Sequence, residues 1–391
     1  MGKRLKLLQE FSVPLILGVI LALVWANLAP HSYHEVLHYE ILPGFNFHFF
    51  VNDIFMVFFF AMAGVEITQS LLPGGNLNPI KKAVTPLMAT AGGVLGPILV
   101  FFVLNSFIGS PDFIRGWGIP TATDIALAWL VARLVFGGGH PAVSFLLLLA
   151  IADDAIGLAI IAIFYPDPVL PTEPMWLLLV LGGMLLAFIL RKLKVASYWP
   201  YILGGGILAW FGMHNAHLHP ALALVFIVPF LPHASRAEGD LFDVTDTEHS
   251  TLTNFEHEFK VFVDFGLIMF GLSNAGVAFS GISSLTWMIF LSLLIGKTFG
   301  VFIMGSVSRF MGFPLPDGMK TKELFMAGVV AALGLTVALF VAGVAYIDEA
   351  LQGAAKMGAL FSAFAAIIAI VLGKMLRIKK IKEGEKAESS N

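Results

Sequence analysis

Apolar stretches of about 18–25 residues recur along this whole 391-residue chain, separated by short polar or Gly/Pro-rich joints, and that pattern leaves few folds open. A helix of that length matches the hydrocarbon thickness of a bilayer. In lipid the backbone must satisfy its own polar groups, which only helices and closed barrels do, and the alternating ten-residue pattern of a barrel is absent. Charged residues make up 13% of the chain and hydrophobic ones 58%, whereas a soluble domain carries about a quarter of its residues charged. The expected fold class is an all-α polytopic membrane protein with about 12 transmembrane helices. The expected spans are 11–29, 50–72, 84–108, 117–136, 141–164, 174–191, 197–213, 218–233, 260–281, 285–308, 323–346 and 356–376.

The joints Pro73-Gly74-Gly75, Gly137-Gly138-Gly139 and Pro166-Asp167-Pro168 carry turn chemistry rather than linkers. Residues 1–376 therefore read as a single transmembrane domain and 377–391 as a disordered cytoplasmic tail. If the spans alternate, Lys81, Lys82, Arg133, Arg191, Lys192, Lys194, Arg236, Arg309, Lys320, Lys322 and the basic tail from Lys374 share the side of the N-terminus, leaving Arg115 and Lys356 on the other. The excess of Lys and Arg in cytoplasmic loops then places both termini in the cytoplasm. The basic N-terminus before Phe11 has the start of a signal peptide, but the run that follows is too long and lacks a clear small-residue cleavage site, so it reads as a retained first span. Basic patches for nucleic acid are lacking, and with no cysteine there is no disulfide or thiol chemistry. No cofactor is expected. Outside the bilayer, Tyr39 to His48 reads either as two short strands around Pro43-Gly44 or as an irregular loop with interfacial aromatics. Residues 235–260 form the one substantial polar stretch, read as a cytoplasmic loop.

Charges at membrane depth carry the chemistry. Asp153 and Asp154 stand in a run from Leu134 to Pro166 with no other Asp, Glu, Lys or Arg, although each such charge costs roughly 2.5–3.5 kcal/mol on insertion scales. Lys297 is the one formally charged residue from Gly266 through Ser308, so a partner of opposite sign is expected elsewhere in the bundle. Consecutive helical residues point about 100° apart, which lets one aspartate of the pair face Lys297 and the other a watered cavity. Asp53, Glu66 and Asp124 complete the set; Asp53, opening the second span, reads as structural. Asp124 follows Gly118-Ile119-Pro120-Thr121-Ala122-Thr123, and Gly334-Leu335-Thr336 interrupts the eleventh span. Such breaks survive at depth only where protein or a cavity receives the freed backbone groups, and a matched pair in the two halves points to a transporter binding site. The alternative reading is small-residue helix packing. Carboxylate oxygens suit hard cations, and a proton competes with a cation for the same oxygens, so one site with alternating access yields exchange.

These residues resemble the NhaA family of bacterial Na+/H+ antiporters. Thr123-Asp124 after Gly118-Ile119-Pro120-Thr121-Ala122 looks like its broken fourth helix, Ala152-Asp153-Asp154 like its fifth-helix aspartate pair, Gly296-Lys297-Thr298 like its tenth-helix lysine, and Ser273-Asn274-Ala275-Gly276-Val277 matches a further signature. The resemblance runs from about Phe11 to about Leu376. It implies inverted-topology repeats, with spans 4 and 11 broken and crossing at mid-membrane, in a bacterial inner membrane. It implies an electrogenic, pH-regulated Na+(Li+)/H+ antiporter, not an enzyme. Asp154 would then be the main Na+-binding carboxylate, Asp153 the partner of Lys297, Thr123 a contributor at the break, and Asp124 the balance for the facing positive helix ends. Glu66, His219, Glu256 and His257 match positions the family associates with pH response near the cytoplasmic funnel. The residues after Glu66 depart from the family's charged pattern there. The 39–48 segment resembles the family's dimer-forming hairpin, implying a homodimer. The competing readings are a sodium-coupled symporter of an organic solute, for which no solute pocket is marked, a pure channel, and an intramembrane aspartyl protease. The protease needs aspartates facing one another from separate helices, and its Gly-x-Gly-Asp motif is absent.

Overall fold

The computed structural model of the chain describes residues 13–42, 45–75, 77, 80–167, 170–233 and 250–381. Helix α1 (Val13–Leu28) leads into the short α2 (Pro30–His38), and a two-stranded antiparallel hairpin follows, β1 (Glu40–Leu42) with β2 (Phe45–Asn46), pairing Glu40 with Asn46 and Leu42 with Phe45. The hairpin forms, although its turn at Pro43-Gly44 lies outside the described residues. Tyr39, Ile41, Leu42 and Phe45 around it are exposed. The chain then passes to and fro through α3 (Phe47–Leu71), α4 (Ile80–Ile108), the pair α5 (Pro111–Thr121) and α6 (Ile125–Phe136), α7 (Pro141–Phe164), α8 (Pro174–Lys192), α9 (201–215) and α10 (Pro220–Phe230). It continues through α11 (Thr251–Asn274), α12 (Ser284–Phe310), the pair α13 (Thr321–Ala331) and α14 (Thr336–Ala345), and α15 (Glu349–Met375).

Every expected span is met by a helical segment. Among the described residues six helices are long and apolar enough to cross a bilayer, and eight when each bent pair counts as one span; α1 and α10 are apolar but shorter. Several boundaries shift by a few residues, and the starts of α11 and α15 shift most. The stretch read as a polar loop to residue 260 turns helical at Thr251, where the Ser250 hydroxyl accepts the Thr253 N–H at 3.1 Å and caps α11. Residues 235–249 of that stretch, and 382–391 of the tail, lie outside the described residues. The last span begins at Glu349 rather than 356, under an Asp348 cap that accepts the Leu351 N–H at 2.8 Å.

Both expected breaks are present, bent by 57° between α5 and α6 and by 47° between α13 and α14. Ahead of the first, the tight 3-10 coil of α5 is held from its flanks. The Tyr165 hydroxyl accepts the Gly118 N–H and donates to Arg115 O, both at 2.8 Å, and the Tyr346 hydroxyl donates to Phe113 O at 2.7 Å. The freed backbone groups find partners across the crossing, as a water-free interior demands. Asp124 N–H donates to Leu333 O at 2.6 Å, while the Ser362 hydroxyl accepts the Gly334 N–H and donates to Gly334 O, each at 3.2 Å.

Small residues set how close α4 and α12 come. A Cβ on Gly92 would sit 2.0 Å from Gly300 O and one on Gly96 would sit 2.2 Å from Gly296 O. A GxxxG pair on each helix therefore lets the two backbones touch. This fixes α12, and with it Lys297.

Candidate functional site

The side chains of the site converge where the two breaks cross. Asp124 caps α6 by accepting the Leu127 N–H at 3.0 Å. Its other oxygen accepts the Thr336 N–H at 3.2 Å and the Thr336 hydroxyl, which sit at the first turn of α14. One buried carboxylate therefore serves the positive ends of two half-helices that point toward each other. Thr336 was legible only as part of a weak point in the sequence; its bond to Asp124 depends on the crossing.

Thr123 turns the other way. Its hydroxyl donates to Ala331 O at 2.9 Å, at the negative end of α13, and accepts from Lys297 Nζ at 2.5 Å. Lys297 also donates to Asp153 Oδ2 in an ion pair whose side chains are both fully buried. A one-turn π-bulge over Ser292–Lys297 ends at the lysine, an irregularity frequent at functional sites. The amine is thus satisfied by one carboxylate and one hydroxyl, and its charge reaches a helix C-terminus through that hydroxyl.

Asp154 is the odd member. It borders a narrow crevice with Phe60, Ala63, Leu158 and Val337, on the side of α7 turned toward α3 and α14. Its Oδ1 and the Oδ1 of Asp153 are buried with no hydrogen-bond partner among the described residues. A buried carboxylate oxygen without a donor is costly. An oxygen of this kind is one that a hard cation or a proton fills, and that of Asp154 belongs to the residue lining the crevice.

The four residues matched to pH response do not gather in one place. Glu66 lies on α3 one turn beyond Ala63, within electrostatic reach of Asp154 on one side and of Glu256, Lys260 and Asp264 of α11 on the other. Gln69 Nε2 donates to Glu256 Oε2 at 2.6 Å and ties the two helices together; nothing in the sequence signalled Gln69. His257, the next residue on α11, is exposed, because one step along a helix turns a side chain by about 100°. His219 is not grouped with Glu66, Glu256 and His257. It precedes α10, its ring lies 4.6 Å from that of Phe340 on α14, and it stands within electrostatic reach of His48. His48 precedes Glu66 on α3 by about 18 residues, roughly 27 Å of helix.

Asp53 is half-buried in a π-turn at the start of α3, and its carbonyl accepts the Trp210 indole N–H at 2.9 Å. Lys356, counted from sequence among the bases on the side opposite the N-terminus, is buried.

Comparison with known proteins gives the family. The model of the family described as Na+/H+ antiporter 1 matches residues 5–375. The chain is 68% identical to a protein of Desulfitobacterium hafniense named Na(+)/H(+) antiporter NhaA, over 97% of this chain and 98% of that one. It is 63% identical to a protein of the same name from Geobacter sulfurreducens, over 97% and 100%, and 44% identical to one from Jannaschia sp., over 95% and 97%. With the family matched across nearly its whole length, this chain belongs to the Na+/H+ antiporter 1 family of helical membrane proteins.

Proposed function

We propose that this protein exports Na+ or Li+ across a bacterial inner membrane in exchange for protons, by alternating access to one site built on Asp153 and Asp154. The observation that carries the reading is the pair of partnerless Oδ1 atoms on adjacent buried aspartates, one of them beside an ion-paired lysine. The name shared by the relatives supports it. Asp154 is the principal cation ligand. Asp153 either pairs with Lys297 or turns to the cation, and when it turns, Lys297 loses the carboxylate that favours its charged form and can release a proton. Cation arrival and proton departure are then one event. If two protons leave per cation, the exchange carries charge across the membrane. Thr123 holds the lysine at the crossing while Asp124 fixes the two half-helices around it.

Glu66 and Glu256 line the approach from the end opposite the hairpin and give that approach its acidity; with His257 at its surface, this end carries the pH response, and His219 acts separately near the hairpin. The distribution of Lys and Arg supports a cytoplasmic location for both termini. The exposed apolar side chains around β1 and β2 favour pairing with a second copy through the hairpin. The test is proton movement in everted vesicles or proteoliposomes on addition of Na+, Li+ or K+, scanned over pH. Dissipation of a preformed proton gradient by Na+ or Li+, with no organic solute present, is expected. Cation-driven proton movement that appears only with a co-transported solute, or not at all, overturns the reading.

A further inference from the structure

Helix α14 carries the first-turn groups that bind Asp124 and the Val337 wall of the Asp154 crevice, so whatever fixes α14 along its axis fixes the site. Its break end is neutralised by Asp124. At its other end the last carbonyls have no intrahelical donor, and this end is buried as well, with Ala342 and Ala345 closed off from the surface.

We propose that Lys356 is a positioning residue for the exchange, acting through Gln352 as the counter-charge of the hairpin-side end of α14. This deepens the exchanger reading and rests on it. Gln352 Nε2 donates to Gly343 O at 2.9 Å and to Tyr346 O at 3.3 Å. Lys356 Nζ donates to the Oε1 of the same amide at 3.0 Å; the two residues are one turn apart on α15 and share a face. Lys356 is 6% exposed, and among the described residues no carboxylate forms an ion pair with it. The groups in electrostatic or ring contact nearby are basic or apolar: His48 feels both Lys356 and His219, and the His219 ring packs at a tilt against Phe340. A buried amine with no anion is expensive unless something else takes its charge. Here a polarised amide passes it to the negative end of a helix, where a cation is favoured. The break repeats the same device, with Lys297 reaching Ala331 O through the Thr123 hydroxyl. α14 is thereby held between an anion at one end and a cation at the other.

The test compares purified wild type, Lys356→Gln, Lys356→Arg and Gln352→Met in proteoliposomes. Lys356→Gln and Gln352→Met should raise the apparent KM for Na+ about five- to thirtyfold, the size of one partly buried helix-terminal charge. Their kcat should change by less than about threefold, because Asp153, Asp154 and Lys297 are untouched. Lys356→Arg should restore most of the affinity, since it keeps the charge. A wild-type KM in Lys356→Gln, or a loss that Arg does not rescue, overturns the proposal; if Lys356→Gln does not fold, a wild-type KM in Gln352→Met does so. Amide hydrogen exchange over 336–346 reads the anchoring without transport and should quicken in both neutral variants. Unchanged protection there overturns the proposal even if wild-type liposomes show no exchange, a result that would sink the exchanger reading instead.

Discussion

Replacing Lys297 by Met keeps most of the side-chain volume and removes the charge with the hydrogen bonds of the amine, which separates the polar interactions of the site from cavity formation. In the wild type the amine gives Asp153 Oδ2 its partner, and Oδ1 already has none. The variant therefore leaves a fully buried carboxylate with no basic group in contact. Breaking a buried pair from one side costs about 3–5 kcal/mol. With an unfolding entropy of about 2.1 cal/mol/K per residue, 391 residues give ~0.8 kcal/mol/K, so the melting temperature should fall by about 4–6 °C. Unfolding in detergent exposes less chain than this scale assumes, which makes the figure a lower edge. Adding Asp153→Asn removes the stranded charge, and the double variant should recover well over 1 kcal/mol, a coupling far above that of independent sites. The measurement is a double-mutant cycle by thermal unfolding of the four purified proteins. The same proteins in liposomes give the second reading: without the amine, fewer protons should leave per cation and the voltage generated should fall. Additive stability losses together with undiminished voltage would refute both the pair and its place in the proton cycle.

Asp154→Asn keeps the shape of the crevice but cannot alternate between a proton and a cation, so cation-driven proton movement should drop by at least a hundredfold in a folded protein; near-normal exchange would remove Asp154 from the site. Gly96→Ala would press a methyl group against Gly296 O, which should cost about 1–3 kcal/mol and weaken Na+ affinity because Lys297 is the next residue; unchanged melting and affinity would mean that α4 and α12 are not in backbone contact. Deleting 40–46 should leave monomers that still exchange ions, whereas intact dimers by native mass analysis would show that the hairpin does not hold two copies together.

The span pattern, the two breaks and the need of Lys297 for an anion were all legible along the chain, because each follows from the cost of leaving backbone or charge unsatisfied in lipid. That cost does not depend on which helix lies next to which. The start of α11 was not legible: hydropathy averages over a window and reads Thr251 to Lys260 as polar, while the backbone there is governed by the Ser250 cap. The partners of Lys356 were not legible for a related reason. Its place near a span edge says nothing about Gln352 and the α14 carbonyls that receive it.

By itself the sequence determined that this chain lives in a bilayer as a helical bundle, and that its chemistry rests on a few carboxylates and an amine at depth. Tertiary structure decided that Asp153 rather than Asp154 takes Lys297, that Asp124 serves α6 and α14 together, and that Glu66 faces the charges of α11 while His219 packs on Phe340 of α14. The physical reason is that desolvation is a property of one residue and its depth. A hydrogen bond or an ion pair is a property of two, and only the crossing of the broken helices brings those partners within 3 Å or so of each other.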